Sequence, residues 1–171
     1  MTVSKHNDFR ISITKLIKNP GTLQEISVKG SVSEVFVSSA WLEADQDVHL
    51  VGTLESVHSG IMFVGSIKTD IKYECRRCLT VGSKALDLEV CELFEKDFQE
   101  DRGDTYPIVG DFIDFTDMTR DALVLGLPSA PLCSEHCQGL CQTCGSNLNE
   151  VQCNHHDDGI DPRFRILDQL K

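Results

Sequence analysis

The chain has 171 residues, of which 16 are Lys or Arg, 27 are Asp or Glu and 8 are Cys. This length predicts one domain with at most a small appendage, able to bury a core without disulfides. The formal net charge of −11 argues against a surface that binds nucleic-acid phosphates throughout, since such a surface needs clustered Lys and Arg. A local basic patch or a basic protein partner is compatible with this charge.

The N-terminal residues and the cysteines together predict a cytoplasmic protein. Residues 1–10 lack the apolar core of a secretory signal. The sequence also has no apolar run of about 18 residues, the length that spans a membrane, so we expect no membrane partner. A reducing compartment keeps thiols free, and metal binding is therefore the first interpretation of the cysteines.

The first half of the chain is predicted to consist of strands. Alternating, β-branched residues indicate a strand over 9–17, followed by a turn at 19–21 and one or two short strands within 22–37, broken near Gly30. Residues 45–47 are predicted to form a loop. The clearest pattern is an antiparallel hairpin of Val48–Leu54 and Ile61–Cys75, with one apolar face and one face toward water.

The hairpin pattern continues into a further strand that contains Leu86, Leu88 and Val90, with Cys91 on the opposite face. Residues 95–104 are predicted to be a charged loop, and 106–115 to contain one more short strand.

Two helices are predicted near the C-terminus. The first covers 117–127, with Thr116 as its N-terminal cap and Pro128 after its end. Its predicted apolar face consists of Met118, Ala122 and Leu125. The second is a short terminal helix that begins at residues 161–162, an Asp-Pro pair typical of a helix start.

These elements predict an α+β fold. Its main part is an antiparallel β-sheet, with a barrel-like form as one option, and it is accompanied by two short C-terminal helices and a Cys-rich zinc module. We expect residues 1–130 to form the β-rich domain that ends in a helix. Residues 131–171 are then the Cys-rich module with the terminal helix.

The first cysteine pair is Cys75-Arg76-Arg77-Cys78, at the end of the long predicted strand. A C-x-x-C turn lets two thiolates face one metal ion. A redox dithiol has the same spacing, but it is typical of a helix N-terminus beside a βαβ unit, and no such pattern occurs here. Unligated structural cysteines are the third alternative.

The second group contains six potential ligands within a short segment. They are Cys133, Cys137, Cys141, Cys144, Cys153 and His155. Thiolates combined with imidazole favour zinc over harder metals. Reduced surface thiols or an iron–sulfur cluster are the alternatives.

Spacing leaves two groupings of these ligands open. In one, Cys141, Cys144, Cys153 and His155 hold one ion, while Cys133 and Cys137 meet Cys75 and Cys78 around a second. In the other, a single ion is held by the four cysteines from Cys133 to Cys144. Either grouping fills four positions with protein ligands, which predicts a structural rather than a catalytic site.

The remaining polar residues give weaker signals. Cys91, His49 and His58 have no partner at metal-ligand spacing, while His136 and His156 are spare donors beside the cluster. The acidic residues within 92–104 and 111–121 are interpreted as solvated faces. Because no phosphate-binding glycine loop, nucleophile elbow or zinc-protease motif occurs, we expect no enzymatic activity.

Four segments resemble one known family, in the order ECRRCL, FTDMTRDALVLGLPSAPLC, CQGLCQTCGSNLN and DPRFRILDQL. From about residue 70 onward the chain is similar to the YceD family, the large ribosomal RNA subunit accumulation proteins, in their cysteine-bearing actinobacterial form. The resemblance implies a non-catalytic role in the bacterial cytoplasm. The family's closing C-x-C reads Cys153-Asn154-His155 here, so His155 stands in place of the last cysteine.

The resulting functional hypothesis is a factor in large ribosomal subunit biogenesis. Its expected partner is a basic ribosomal protein, or large-subunit ribosomal RNA contacted through Lys68, Lys72, Arg76 and Arg77. The alternatives are a zinc-dependent enzyme acting on nucleic acid and a thiol redox protein. The sequence does not indicate an oligomeric state.

Overall fold

A computed structural model describes residues 9–19, 21–98 and 105–155. Within these ranges the strands are β1 Arg10–Ser12, β2 Leu23–Gly30, β3 Val35–Val37, β4 Ala40–Leu42, β5 Val48–Ser56, β6 Ile61–Glu74, β7 Val81–Glu95, β8 Tyr106–Val109 and β9 Phe112–Asp114. The helices are α1 Thr14–Lys18 and α2 Thr116–Gly126.

The strands form one curled, half-barrel sheet in the order β1-β9-β8-β7-β6-β4-β3. Strand β6 is its centre, because β7 pairs with the full length of β6 while β5 and β4 pair with different parts of its other edge. Strand β2 extends the sheet beyond β5. Neighbouring strands are antiparallel except β7 and β8, which are parallel at Phe94 and Glu95. The predicted α+β class with a mainly antiparallel sheet is confirmed.

Alternating residues of β5 and β6 face the core, as the sequence pattern predicts. Phe63 of β6 and Phe94 of β7 are fully buried. Each packs edge-on against Phe115, with ring centroids 5.2 Å apart in both pairs. This aromatic cluster joins the two longest strands to the start of α2.

Two glycines lie opposite each other on this face, at the register pair Gly52 and Gly65 of β5 and β6. The ring of Phe63 covers both, because a Cβ atom built on either glycine would lie 2.6 Å from that ring. The Phe63 ring can pack here only because neither glycine has a side chain.

The predicted strand over residues 9–17 is wrong beyond residue 12. After β1 the chain turns into α1, and both Ile13 and Leu16 are buried. In a strand, residues three apart would point to opposite faces, whereas in a helical turn they share one face. Burying both side chains therefore overrides the β-branched pattern of this segment.

The helix predicted over 117–127 is present as α2, but two details differ. Thr116 is the first helical residue rather than the cap, and its backbone N–H and hydroxyl both donate to the Asp114 carboxylate. Leu125 is 87% exposed, because the buried side of α2 contains Met118 and Leu123. The apolar face of α2 that packs on the core therefore excludes Leu125.

The structure adds short strands that the sequence pattern missed. Residues 106–115 hold β8 and β9 where one strand was predicted, and β4 forms a small hairpin with β3. The predicted terminal helix and residues 99–104 of the charged loop lie outside the described residues. No helix in the described part of the chain is long and apolar enough to cross a membrane.

Candidate metal centres

Four cysteine side chains from distant parts of the chain meet at one end of β6. This buried cluster consists of Cys75, Cys78, Cys133 and Cys137. The Sγ atoms of Cys75 and Cys137 are 3.7 Å apart, and those of Cys78 and Cys133 are 3.5 Å apart. Four sulfurs around one zinc ion at a Zn–S distance of about 2.3 Å would be separated by about 3.8 Å. The spacing of the thiols therefore fits a tetrahedral zinc site.

A tight turn after β6 brings the first two cysteines together. The backbone N–H of Cys75 donates to Thr80 at 2.9 Å, and the N–H of Leu79 donates to Cys75 at 2.9 Å. Leu79 has a φ of 58°, in the left-handed region that closes such a turn. The N–H of Arg76 also donates to the carbonyl of Pro131, which attaches the second cysteine segment to the sheet.

The cluster is shielded from water on most sides. Cys75, Cys78 and Cys137 are buried, whereas Cys133 is exposed. The side-chain amide of Asn149 donates to the Cys137 sulfur at 3.4 Å, and its carbonyl accepts from the Gln138 backbone N–H at 2.8 Å. Asn149 is thus a hydrogen-bonding neighbour of the ligand set rather than a ligand.

Hydrogen bonds distribute charge unequally among these thiols. Burial raises the pKa of Cys75, but the backbone N–H groups of Cys78, Cys133 and Arg77 outweigh it and lower that pKa to about 6. Hydrogen bonding to Cys78 raises the pKa of Cys133 to about 12. Ionisation is therefore favoured at Cys75 and opposed at Cys133. A divalent ion would allow all four thiols to ionise.

A second group, the distal cluster, consists of Cys141, Cys144, Cys153 and His155. Its first two cysteines lie in a turn closed by two backbone hydrogen bonds of 2.8 Å, from Cys141 to Ser146 and from Gly145 to Cys141. Gly145 has a φ of 72°, which glycine adopts without steric cost. The Cys141 sulfur is 3.9 Å from Nδ1 of His155, which is close enough for both to bind one ion.

The distal turn also favours a thiolate. The backbone N–H groups of Cys144 and Thr143 lower the pKa of Cys141 to about 7. The side chain and backbone of Ser146 lower the pKa of Cys144. N–H groups directed at sulfur are expected around a thiolate-bound metal, so this turn also fits zinc.

The ligand atoms of each cluster lie within 4.8 Å of one another, and the two clusters match the first of the two groupings left open by spacing. Each provides four protein donors, either four thiols or three thiols and one imidazole. Such sets favour zinc and leave no position for a water nucleophile. Cys91 is exposed on β7 and His136 is exposed, and neither belongs to a cluster of the described residues. His156 lies outside the described residues.

A comparison with known families identifies the family of this chain. The family model described as "Large ribosomal RNA subunit accumulation protein YceD" matches residues 63–171, which include both clusters. The chain belongs to the YceD family.

Similar proteins occur in mycobacteria. An uncharacterised protein of Mycobacterium leprae is 28% identical over 164 residues, which cover 92% of this chain and 75% of that relative. An uncharacterised protein of Mycobacterium tuberculosis strain H37Rv is 26% identical over 177 residues, covering 99% of this chain and 85% of the relative. No solved structure gives a significant match.

The basic residues considered for RNA contact in this YceD-family chain all have partners within the chain. Lys68 forms an ion pair with Asp87 at 3.1 Å, and Lys72 forms one with Glu43 at 2.6 Å. The guanidinium group of Arg76 donates to the Ser129 carbonyl at 2.9 Å.

Arg77 donates to the carbonyl of Cys137 at 3.0 Å. The two arginines of the C-x-x-C turn therefore hold the segment that follows α2. This role could not be read from the sequence, since it depends on which distant carbonyls lie beside the turn. The hydrogen bond from Asn149 to the Cys137 sulfur could not be predicted from the sequence either, because their spacing matches no known motif.

Proposed function

We propose that this protein is a non-catalytic factor in large ribosomal subunit biogenesis, which supports the accumulation or processing of large-subunit ribosomal RNA in the cytoplasm. The family match over residues 63–171 carries this proposal. The two closed donor sets support the non-catalytic part, because four protein ligands leave no open coordination position for substrate or water.

The proposed cofactor is structural zinc, with one ion in each cluster. When bound, zinc would supply a fixed link between the thiolates of its site. Cys75 and Cys78 would hold the buried ion from the sheet side, and Cys133 and Cys137 from the segment after α2. In this proposal residues 131–171 form a module that the metal fastens to the β-rich part, residues 1–130.

The proposed partner is a basic ribosomal protein within an assembling particle. Ligation turns thiols into thiolates, so a four-cysteine zinc site adds two negative charges and a three-cysteine, one-histidine site adds one, which takes the formal net charge from −11 to −14. Since Lys68, Lys72, Arg76 and Arg77 also have intramolecular partners, RNA phosphates are the less favoured ligand.

Depletion of the protein in its native host tests this function. We expect less large-subunit ribosomal RNA and a shift from mature large subunits to lighter particles on a sucrose gradient. Normal RNA levels and normal particles after complete depletion would contradict the proposal. Re-expression of the wild-type chain restores the profile if depletion itself is the cause.

Variants of single cysteines then connect the metal centres to the function. Cys137→Ser should fail to restore the gradient profile if the buried cluster is required, whereas Cys91→Ser should restore it because Cys91 lies on the exposed face of β7. Equal protein levels of the two variants are required for the comparison. Recovery of the purified chain without zinc would overturn the cofactor proposal.

A further inference from the structure

Strands β2, β5, β6 and β7 turn one side of the sheet away from the core, and part of this outer side is apolar. The strand register places its residues in rows that cross the four strands. The first row is Leu23, Glu55, Met62 and Leu93, the second is Glu25, Thr53, Val64 and Cys91, and the third is Ser27, Val51, Ser66 and Glu89. These three rows are called the outer patch, and half of their residues are apolar.

The apolar side chains of the outer patch are open to solvent. Leu23 is 65% exposed, Val64 51% and Val51 42%. The water-facing side of an antiparallel sheet is ordinarily polar. The adjoining row of the same side follows this rule and consists of Lys29, His49, Lys68 and Asp87. The alternation that builds the sheet does not explain the apolar rows, and an exposed apolar surface of this kind is typical of a protein contact.

All the charged residues of the outer patch are glutamates. Glu25, Glu55 and Glu89 are exposed, and within the described ranges none of them forms an ion pair or a side-chain hydrogen bond. Glu55 and Glu89 are diagonal neighbours of Val64 on the adjacent strands. Glu25 has the same relation to Val51. Diagonal neighbours lie about 7–8 Å apart, so one bound segment can contact a valine and a glutamate together.

We propose that the outer patch is the docking surface for an amphipathic segment of a basic protein, which covers Val51 and Val64 with apolar side chains and directs Lys or Arg at the three glutamates. This inference rests on the proposed function, in which the partner is a basic ribosomal protein. Negative charge around an apolar centre is complementary to such a segment.

The size of the outer patch fits a single helical segment. Four strands at a spacing of about 4.8 Å make the patch about 14 Å wide. A helix with its side chains is about 10–12 Å across, so one helix covers most of this width.

The outer patch is separate from the buried cysteine cluster. Val64 lies in the first third of β6, whereas Cys75 follows the last residue of that strand. Changes to the patch should therefore leave the zinc content unchanged. Zinc content and melting temperature together verify that each variant below is folded.

The test uses the full-length protein, loaded with zinc, and a synthetic helical peptide of about 18 residues with Leu on one face and Lys on the other. The methyl NMR signals of Val51 and Val64 should shift when the peptide is added. Those of Val81 and Val109 should stay in place, although both valines are more exposed than Val64. Equal shifts at all four valines would show nonspecific binding and overturn the proposal.

Two changed peptides separate charge from apolar contact. A peptide with Glu in place of Lys keeps the apolar face, and one with Ser in place of Leu keeps the charge. Each should bind at least about tenfold more weakly than the original. Unchanged affinity of the Ser peptide would reduce binding to attraction by the net charge of −11 and contradict the patch.

A pair of valine variants locates the apolar contact. V51T/V64T keeps the β-branched shape that suits a strand but makes the centre of the patch polar. It should weaken binding of the original peptide by at least about tenfold. V81T/V109T makes the same change at exposed valines outside the patch, and it should alter the dissociation constant by less than about threefold. Equal losses in the two variants would contradict the site.

A pair of carboxylate variants locates the charge. E55Q/E89Q should weaken binding by at least about threefold, with a smaller effect at high salt. E34Q/D70N removes two exposed carboxylates outside the patch and serves as the control of equal charge. The same loss in both variants would leave net charge as the only cause.

The outcomes separate this inference from the proposed function. Absence of peptide binding, with a large-subunit defect on depletion, would overturn the docking surface alone. Peptide binding at the outer patch without any defect on depletion would support the surface and contradict the biogenesis role. Shifts of the Val51 and Val64 signals when the free protein is concentrated would assign the patch to a second copy of this chain and overturn the proposal.

Discussion

Asn149 is a single side chain that connects the two cysteine clusters. It lies in the sequence between ligands of the distal cluster, yet it donates a hydrogen bond to Cys137 of the buried cluster. Hydrogen bonds to metal-bound thiolates stabilise the ionised form and orient the sulfur. The contact therefore makes the buried site sensitive to a residue that is not one of its ligands.

Replacing Asn149 by Asp keeps the size and the acceptor for Gln138 but removes the N–H donor to Cys137. We expect zinc affinity at the buried cluster to fall by about tenfold or more, as is typical of such neighbours. Competition with a chromogenic chelator measures the loss. Asn19→Asp, on an exposed side chain outside both clusters, adds the same charge as a control. Equal zinc retention in the two variants would contradict the role of the donor.

Glu92 gives a pH-dependent prediction. Burial and the Asp121 carboxylate raise its pKa in the folded protein above the ordinary value of 4.5. Its ionisation therefore costs stability at neutral pH, and this cost disappears as the pH falls below the ordinary value. Glu92→Gln should therefore stabilise the protein at pH 7 by less than about 1 kcal/mol in the free energy of unfolding, which would appear as a higher melting temperature. This gain should vanish near pH 4.

Glu89→Gln is the matched control for this change, because Glu89 lies on the exposed face of the same strand. Thermal melts of the three proteins at both pH values provide the measurement. A gain for Glu92→Gln that persists at pH 4, or an equal gain for Glu89→Gln, would show that the buried carboxylate is not the cause.

At the scale of elements, the sequence predicts strands best where one face is buried over many residues. The β5–β6 hairpin and the β7 strand follow an alternation of core-facing and water-facing residues that is typical of an antiparallel, half-buried sheet. α1 was missed because its apolar residues can also alternate as a strand, and only contact with the core selects the helix. Leu125 of α2 was misassigned because helical spacing alone does not show which side meets the sheet.

The glycine pair in this hairpin gives a stability prediction. In Gly65→Ala the new methyl group would collide with the Val51 carbonyl oxygen and would lie 2.6 Å from the Phe63 ring. Neither neighbour can move freely, so we expect a loss of about 1–3 kcal/mol in the free energy of unfolding. Urea denaturation measures it, with Ser66→Ala on the adjacent position as the control. A loss no larger than the control's would mean that the ring can shift at little cost.

At the scale of the whole molecule, the buried cluster joins the central strand to the segment after α2. The sequence could name all eight potential ligands, because Cys and His spacing carries that signal. It could not choose between the two groupings, since that choice depends on how the chain returns from α2 to the end of β6. The hydrogen bond from Arg76 to Ser129 lies at this return.

Loss of a ligand should therefore have different consequences in the two clusters. Cys137→Ser should lose one zinc ion and make residues 131–155 more sensitive to protease, because their link to β6 is broken. Cys153→Ser should also lose one ion but keep that link. Zinc counts by atomic emission and the positions of the first cleavages measure both effects. Identical cleavage patterns in the two variants would contradict separate roles for the clusters.

The separation of the ligands along the chain also sets an order of assembly. The contacts of the buried cluster join residues 62 and 55 positions apart, whereas Cys141 and His155 are 14 positions apart. Short loops close with less loss of chain entropy than long ones, and the distal ligands can gather in a chain that is still largely unfolded. The buried ligands come together only after β6 and α2 have packed. Under the proposed zinc binding, metal capture at that cluster would mark the completion of folding, and a newly made chain would hold its second ion only once its sheet is formed.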